Sequence, residues 1–253
     1  MEPPMPPPPA IAMTSQGGAT TATAQPAAMP AAATVQSVAR IEQAVRDRTN
    51  TDHKFMNWWL FTFLVNPITF GIAGIYFFYQ RMARVDAYSR RKSAYYAALV
   101  EYTERRAEGS AASGAVRPMT DQLRADLAAA SQSTIKPIGA GLNFVLTIVT
   151  FGIWAIVVYY KVNRAWNDRQ LFEAHFDDRL SQAWLQLGIL RHPITFVVDQ
   201  GKDRSFGIWL VLSIVTFGIW AIVWDYRVWR DPDLLYPEFH AVEDAVLQIV
   251  RTA

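Results

Sequence analysis

The sequence predicts an all-α membrane protein of three repeated apolar helical units, each broken at a Thr-Phe-Gly centre and followed by an amphipathic helix, behind a disordered N-terminal tail. Three observations carry that expectation. In composition, 51% hydrophobic residues, 18% charged residues and nine Trp among 253 describe a chain partly solvated by lipid. In repetition, Ile148 to Val157 reads IVTFGIWAIV, and Ile214 to Val223 repeats it letter for letter. In length, the apolar runs Phe55 to Tyr79, Ile138 to Val162 and Phe206 to Trp224 hold 25, 25 and 19 residues, where about 20 helical residues cross a hydrocarbon core about 30 Å thick.

Residues 1–34 form the tail. They hold eight of the fourteen prolines, one charge (Glu2) and one large aliphatic, Ile11, so burial cannot offset the entropy of ordering. The run Pro6 to Pro9 could dock on an aromatic groove of a partner, but a plain solubilising tail is the favoured reading of such a biased segment. A signal peptide needs a basic n-region before an apolar stretch; the first basic residue is Arg40, so insertion depends on a later segment. Unit one, 35–106, opens on Val35, Val38, Ile41 and Val45 at helical spacing, with Arg40, Arg46 and Arg48 available to anionic headgroups.

Unit one also holds a degenerate copy of the repeat, PITFGIAGIY from Pro67 to Tyr76. Registered on Thr69, Thr150 and Thr216, the three copies place Tyr79, Tyr160 and Tyr226 ten positions on. Basic residues follow at once: Arg81 and Arg84, Lys161 and Arg164, Arg227 and Arg230. Rings at headgroup level with cations reaching phosphates are what a membrane interface selects. Gly71, Gly152 and Gly218 supply left-handed turn positions after a first leg. Legs of about 12 and 10 residues reach about 18 and 15 Å, half a bilayer.

Charge distinguishes re-entrant hairpins from single crossings. Single crossings would put eleven Lys and Arg on one side and thirteen on the other, which sets no orientation. Each copy keeps the same basic C-terminal flank, and Pro67 suits a broken helix. Both points favour hairpins that leave on the side they entered. Backbone exposed at such a turn costs several kcal/mol in lipid unless it is capped or covered.

Between the units, 107–135 is rich in Ala, Ser and Gly and reads as a linker with a weak helix at Thr120 to Ala130. Unit two, 136–190, ends in an amphipathic helix carrying Leu171, Phe172, Phe176, Leu180, Trp184 and Leu187. Unit three, 191–253, ends in another, opened by Pro237 at its first position and carrying Phe239, Val242, Val246 and Ile249. Tyr95, Tyr96, Leu99 and Tyr102 do the same for unit one.

Little chemistry is legible. The 24 Lys and Arg against 22 Asp and Glu leave +2, without the basic excess of a nucleic-acid partner. Zero Cys removes disulfides, thiolates and Cys-ligated zinc. His53, His175, His192 and His240 lack metal-ligand spacing, so no metal, no cofactor and no catalytic residue is expected. His175 beside Asp177 and Asp178, and His240 beside Glu243 and Asp244, read as solvated helix faces. Asn66, Asn143 and Asp225 are polar groups within or at the edge of the apolar runs, candidates to line a path, weighed against interface pairing and helix bridging.

The motif TFGIWAIV-x-x-Y-[KR], at Thr150 to Lys161 and Thr216 to Arg227, resembles a domain-of-unknown-function family of bacterial integral membrane proteins with repeated units of this size. Unit one departs from it at Ala73 and Gln80. The resemblance implies a membrane-embedded protein and transfers no catalytic residue. The expected function is therefore a non-enzymatic anchor, scaffold or membrane-shaping component of the bacterial inner membrane, with its tail in the cytoplasm. The bilayer is its partner, with a protein partner or homo-oligomer besides; the alternative is a small transporter or channel subunit.

Overall fold

The computed structural model describes residues 31–52, 54, 57–193 and 205–253. Most of the expected tail, with Pro6 to Pro9, and His53 lie outside the described residues. Every regular element among the described residues is helical. The elements are α1 (Ala31–Arg46), α2 (Arg48–Thr51), α3 (Trp58–Leu60), a π-helical turn (Phe61–Val65), α4 (Asn66–Ile68), α5 (Ile72–Ala107), α6 (Ser113–Gln132), α7 (Ala140–Val149), α8 (Trp154–Gln186), α9 (Phe206–Val215) and α10 (Ile219–Thr252).

Each of the three apolar units is a short helix, a Thr-Phe-Gly turn and a long helix. The expected amphipathic helices are not separate elements. They continue the second legs without a break, giving helices of 36, 33 and 34 residues, each about 50 Å long. The cause is local: α8 contains neither Gly nor Pro, so nothing stops it where its composition changes from apolar to amphipathic. In α10, Pro232 and Pro237 both sit inside the helix, so Pro237 does not open one.

The three long helices run parallel, with their turns at one end. Phe78 of α5 meets Tyr159 of α8 at 6.4 Å between ring centres, and Tyr159 meets Trp224 of α10 at 5.8 Å. Further down, Tyr88 meets Trp166 at 5.3 Å and Tyr236 at 5.7 Å, and Tyr96 meets Phe176 at 4.5 Å. Residue numbers rise together along all three helices, which only parallel packing allows.

Among the described residues, no helix is long and apolar enough to cross a membrane. The single-crossing alternative, and with it the expectation of a transmembrane helix, is not upheld. First legs α7 and α9 are 10 residues each, and the second legs meet charge at Arg81, Lys161 and Asp225.

Two flanking segments differ from expectation. The arginines of α1 and α2 lie against protein carboxylates. Arg40 pairs with Glu101 at 2.6 Å, Arg48 with Asp244, and Arg46 lies 3.9 Å from Glu42. Ile41 and Val45 join Tyr95, Leu99 and Val250 in a core at the far end from the turns. The 107–135 interval carries the 20-residue α6, which buries Val116, Thr120 and Leu123 and packs on α5 and α8. Its Ala content favours helix, and one apolar face suffices to seat it.

Candidate functional site

At the turned end, the repeated Thr does two jobs. Thr150 Oγ1 donates to the Leu146 carbonyl at 2.8 Å, closing the first leg, and accepts from Trp154 N at 2.9 Å, capping the second. Thr216 repeats this with Leu212 at 2.7 Å and Trp220 N at 2.9 Å. Thr69 repeats it with Val65 at 2.9 Å and Ala73 N at 3.1 Å.

The following Phe and Gly both take left-handed backbone, φ 50, 51 and 51 at Phe70, Phe151 and Phe217, and φ 85, 88 and 90 at Gly71, Gly152 and Gly218. Each Gly amide donates back across the turn, to Asn66 O at 2.9 Å, Thr147 O at 2.8 Å and Ser213 O at 2.7 Å, the six-to-one bond of a Schellman ending. The Phe and Ile amides beside it are also bonded. The turn thus leaves its own N–H groups satisfied without water.

Its side chains are the reverse of a water-soluble turn. Phe70, Phe151 and Phe217 are 95%, 98% and 98% exposed. Ile68 and Ile72, Val149 and Ile153, and Val215 and Ile219 flank them, all exposed. A non-Gly residue at positive φ costs about 1–2 kcal/mol, and here three do so to hold a bare aromatic at the extreme tip.

Below the tips the units are tied together through Asp225, with donors from the other two. Asp225 of α10 accepts from Arg81 of α5 at 2.5 and 3.0 Å, from the Tyr159 hydroxyl of α8, and from Trp58 Nε1 at 2.7 Å. Tyr159 and Asp225 occupy the same repeat position, nine after the Thr, where unit one has Phe78. The space between the three helices there is only about 10 Å³, lined by Phe78, Arg81, Tyr159 and three valines. That is too little for more than a single water.

Asn66 and Asn143 bridge legs within their own hairpins. Asn66 Oδ1 accepts from Gly74 N at 2.9 Å, and Asn143 Oδ1 accepts from Trp154 Nε1 at 2.9 Å and Lys161 Nζ at 3.1 Å. A buried carboxylate on α5 holds the start of α7: Asp86 accepts from Gly139 N at 3.1 Å and Ala140 N at 2.7 Å.

The Tyr and basic residues that end the apolar runs make local contacts at the hairpin bases. Arg164 donates to the Tyr160 hydroxyl at 3.1 Å, and Arg230 repeats this with Tyr226 at 2.7 Å. Arg227 lies over Trp209 at 5.8 Å. Tyr79 is turned inward, its ring 5.4 Å from Phe144.

Sequence reasoning missed a second cluster, buried midway down the bundle. Arg91 pairs with Glu243 at 2.8 Å and Asp52 at 2.5 Å; Lys92 pairs with Glu173 at 2.6 Å and Glu243 at 2.9 Å. Lys92 Nζ also stands 5.2 to 5.3 Å from the rings of Tyr95, Tyr96 and Phe239. Burial opposes the Glu243 charge, but Lys92 and Arg91 outweigh it and hold its carboxyl down at about 2. For Lys92, burial pulls downward and Glu173 and Glu243 carry the net shift upward. At Asp177 burial wins and lifts the carboxyl well above the usual range.

The solvated-face reading thus fails for Asp177 and Glu243, both buried, and holds for His175, which is exposed. Sequence register held the signal, because position 23 after the Thr carries Lys92, Glu173 and Phe239, opposite charges and a ring. Among the described residues, no group of acidic and histidine side chains could hold a metal ion.

A domain of unknown function (DUF4234) matches residues 204–248, the third hairpin and most of α10. No curated protein and no solved structure matches the chain.

Proposed function

We propose that the chain is a non-enzymatic membrane anchor that dips three hairpin tips into one leaflet and holds a helical bundle outside it. The observation that carries this reading is the set of three bare Phe tips at one end of a parallel bundle. No charge lies between each tip and Arg81, Lys161 or Asp225, and those 8 to 11 residues reach about 12–16 Å, the depth of one leaflet. A turn whose N–H groups are bonded internally carries a smaller penalty for entering lipid. Contiguous exposed apolar surface of this kind is rare on monomers that meet only water.

The repeated motif resembles those of bacterial integral membrane proteins, and on that resemblance we place the protein at the bacterial inner membrane with bundle and tail on the cytoplasmic side. Inserts confined to one leaflet expand it relative to the other, so membrane shaping accompanies anchoring. A transporter or channel subunit finds less support, because Asn66, Asn143 and Asp225 all engage protein partners and the space between the helices beside Arg81 and Tyr159 is only about 10 Å³. Flotation with phosphatidylcholine vesicles, followed by electron microscopy, tests the reading. Co-flotation with vesicle deformation is expected; a chain left in the aqueous fraction overturns it.

A further inference from the structure

Beneath the second tip, a groove of about 620 Å³ opens between residues 133–139, α7 and α8. It has the volume of a small-molecule site and two chemistries. Its basic end holds Lys136, Lys161 and Arg164; its apolar wall is Leu142, Leu146 and Trp154. The cations lie at the hairpin base, where headgroups would sit, and the apolar wall climbs toward the tip.

Charge in the groove is not internally cancelled. Arg164 is shared between Asp168 at 3.0 Å and Tyr160, but Lys161 meets neutral groups, the Asn143 amide oxygen at 3.1 Å and the Trp154 ring at 5.8 Å. Lys136 is exposed. The groove is also bounded by Arg169, fully buried, whose Nε and Nη1 have no hydrogen-bond partner among the described residues. The third hairpin differs at the residue that matters. Where unit two has Asn143, unit three has Trp209, which packs on Trp220 at 5.5 Å beneath Arg227, so an indole stands in place of an amide.

We propose that this groove seats one anionic phospholipid, its phosphodiester among Lys136, Lys161 and Arg164 and its acyl chain along Leu142, Leu146 and Trp154. The proposal rests on the membrane-anchor reading. Charge complementarity selects an anionic headgroup, and the adjoining apolar wall selects a lipid over a free phosphate.

The test titrates dihexanoyl phosphatidylglycerol into the full chain in zwitterionic micelles, where no charged surface mimics a site. Saturable binding of one lipid per chain is expected, with dihexanoyl phosphatidylcholine at least about tenfold weaker. Lys136→Gln with Lys161→Gln should weaken binding at least about tenfold, since each cation contributes about a factor of five toward an anionic lipid. Asn143→Trp should block it without altering charge. Non-saturable uptake, equal affinity for the two headgroups, or undiminished binding in the lysine variant overturns the site. Flotation on phosphatidylcholine vesicles does not need the groove. A chain that floats yet fails the titration loses only the lipid site, whereas one that never floats loses the anchor reading as well.

Discussion

Replacing Phe151 by Asn separates the demands of the fold from those of the bilayer. The Phe151 side chain is 98% exposed, so its removal takes nothing from the protein core. Its φ of 51 is a conformation in which Asn is several-fold enriched, so Phe151→Asn should leave thermal stability in detergent unchanged or slightly raised. Membrane affinity should move the other way. Burying a Phe is worth about 1.5–3 kcal/mol, and sinking an unpaired amide costs about 1–3 kcal/mol. The loss of about 2.5–6 kcal/mol is about two to four decades of partition, read by flotation at limiting lipid. Phe70→Asn and Phe217→Asn should match it, because the three turns share one geometry. A partition unchanged within about threefold would refute the insertion of the tips.

Thr150→Val removes both bonds that close and restart the hairpin, and should cost about 1–2 kcal/mol by thermal unfolding; no loss would mean the Thr is incidental to the turn. Glu243→Gln leaves Arg91 and Lys92 short of a buried partner, so it should lower stability by about 3–5 kcal/mol, a Tm drop of about 10 °C. The same carboxyl sets an acid limit: held at about 2 when folded against an ordinary 4.5, it contributes stability present above 4.5 and lost as pH falls toward 2. Tm measured across that window should fall steeply in the wild type and flatten in Glu243→Gln. Asp177 has the opposite sign, its carboxyl lifted by burial, so Asp177→Asn should raise Tm at neutral pH; a lower Tm would show that its charge is needed.

The three breaks were legible because Gly71, Gly152 and Gly218 each interrupt an apolar run at a fixed register, and local conformation alone decides a left-handed turn. The continuity of α8 was not legible, since hydropathy marks where a helix changes solvent rather than where it ends. Composition also misled at 107–135, where Ser and Gly flank an Ala-rich helix. Lys92, Glu173 and Glu243 look like solvated charges in one dimension. Only the parallel packing of three helices turns them toward one another, and that packing follows from long-range contacts such as Tyr88 to Trp166 and Tyr236.

Labelling depth tests the central claim most directly, since the chain has no Cys and accepts single probes. Nitroxides at Phe70→Cys, Phe151→Cys and Phe217→Cys should report one common depth of about 12–16 Å below the headgroups. Single Cys at Ser110, Asn167 and Thr252 should all react from the same face of the membrane. Tips that remain accessible to aqueous quencher, or an Asn167 site that reacts from the face opposite Ser110 and Thr252, would contradict a one-leaflet anchor.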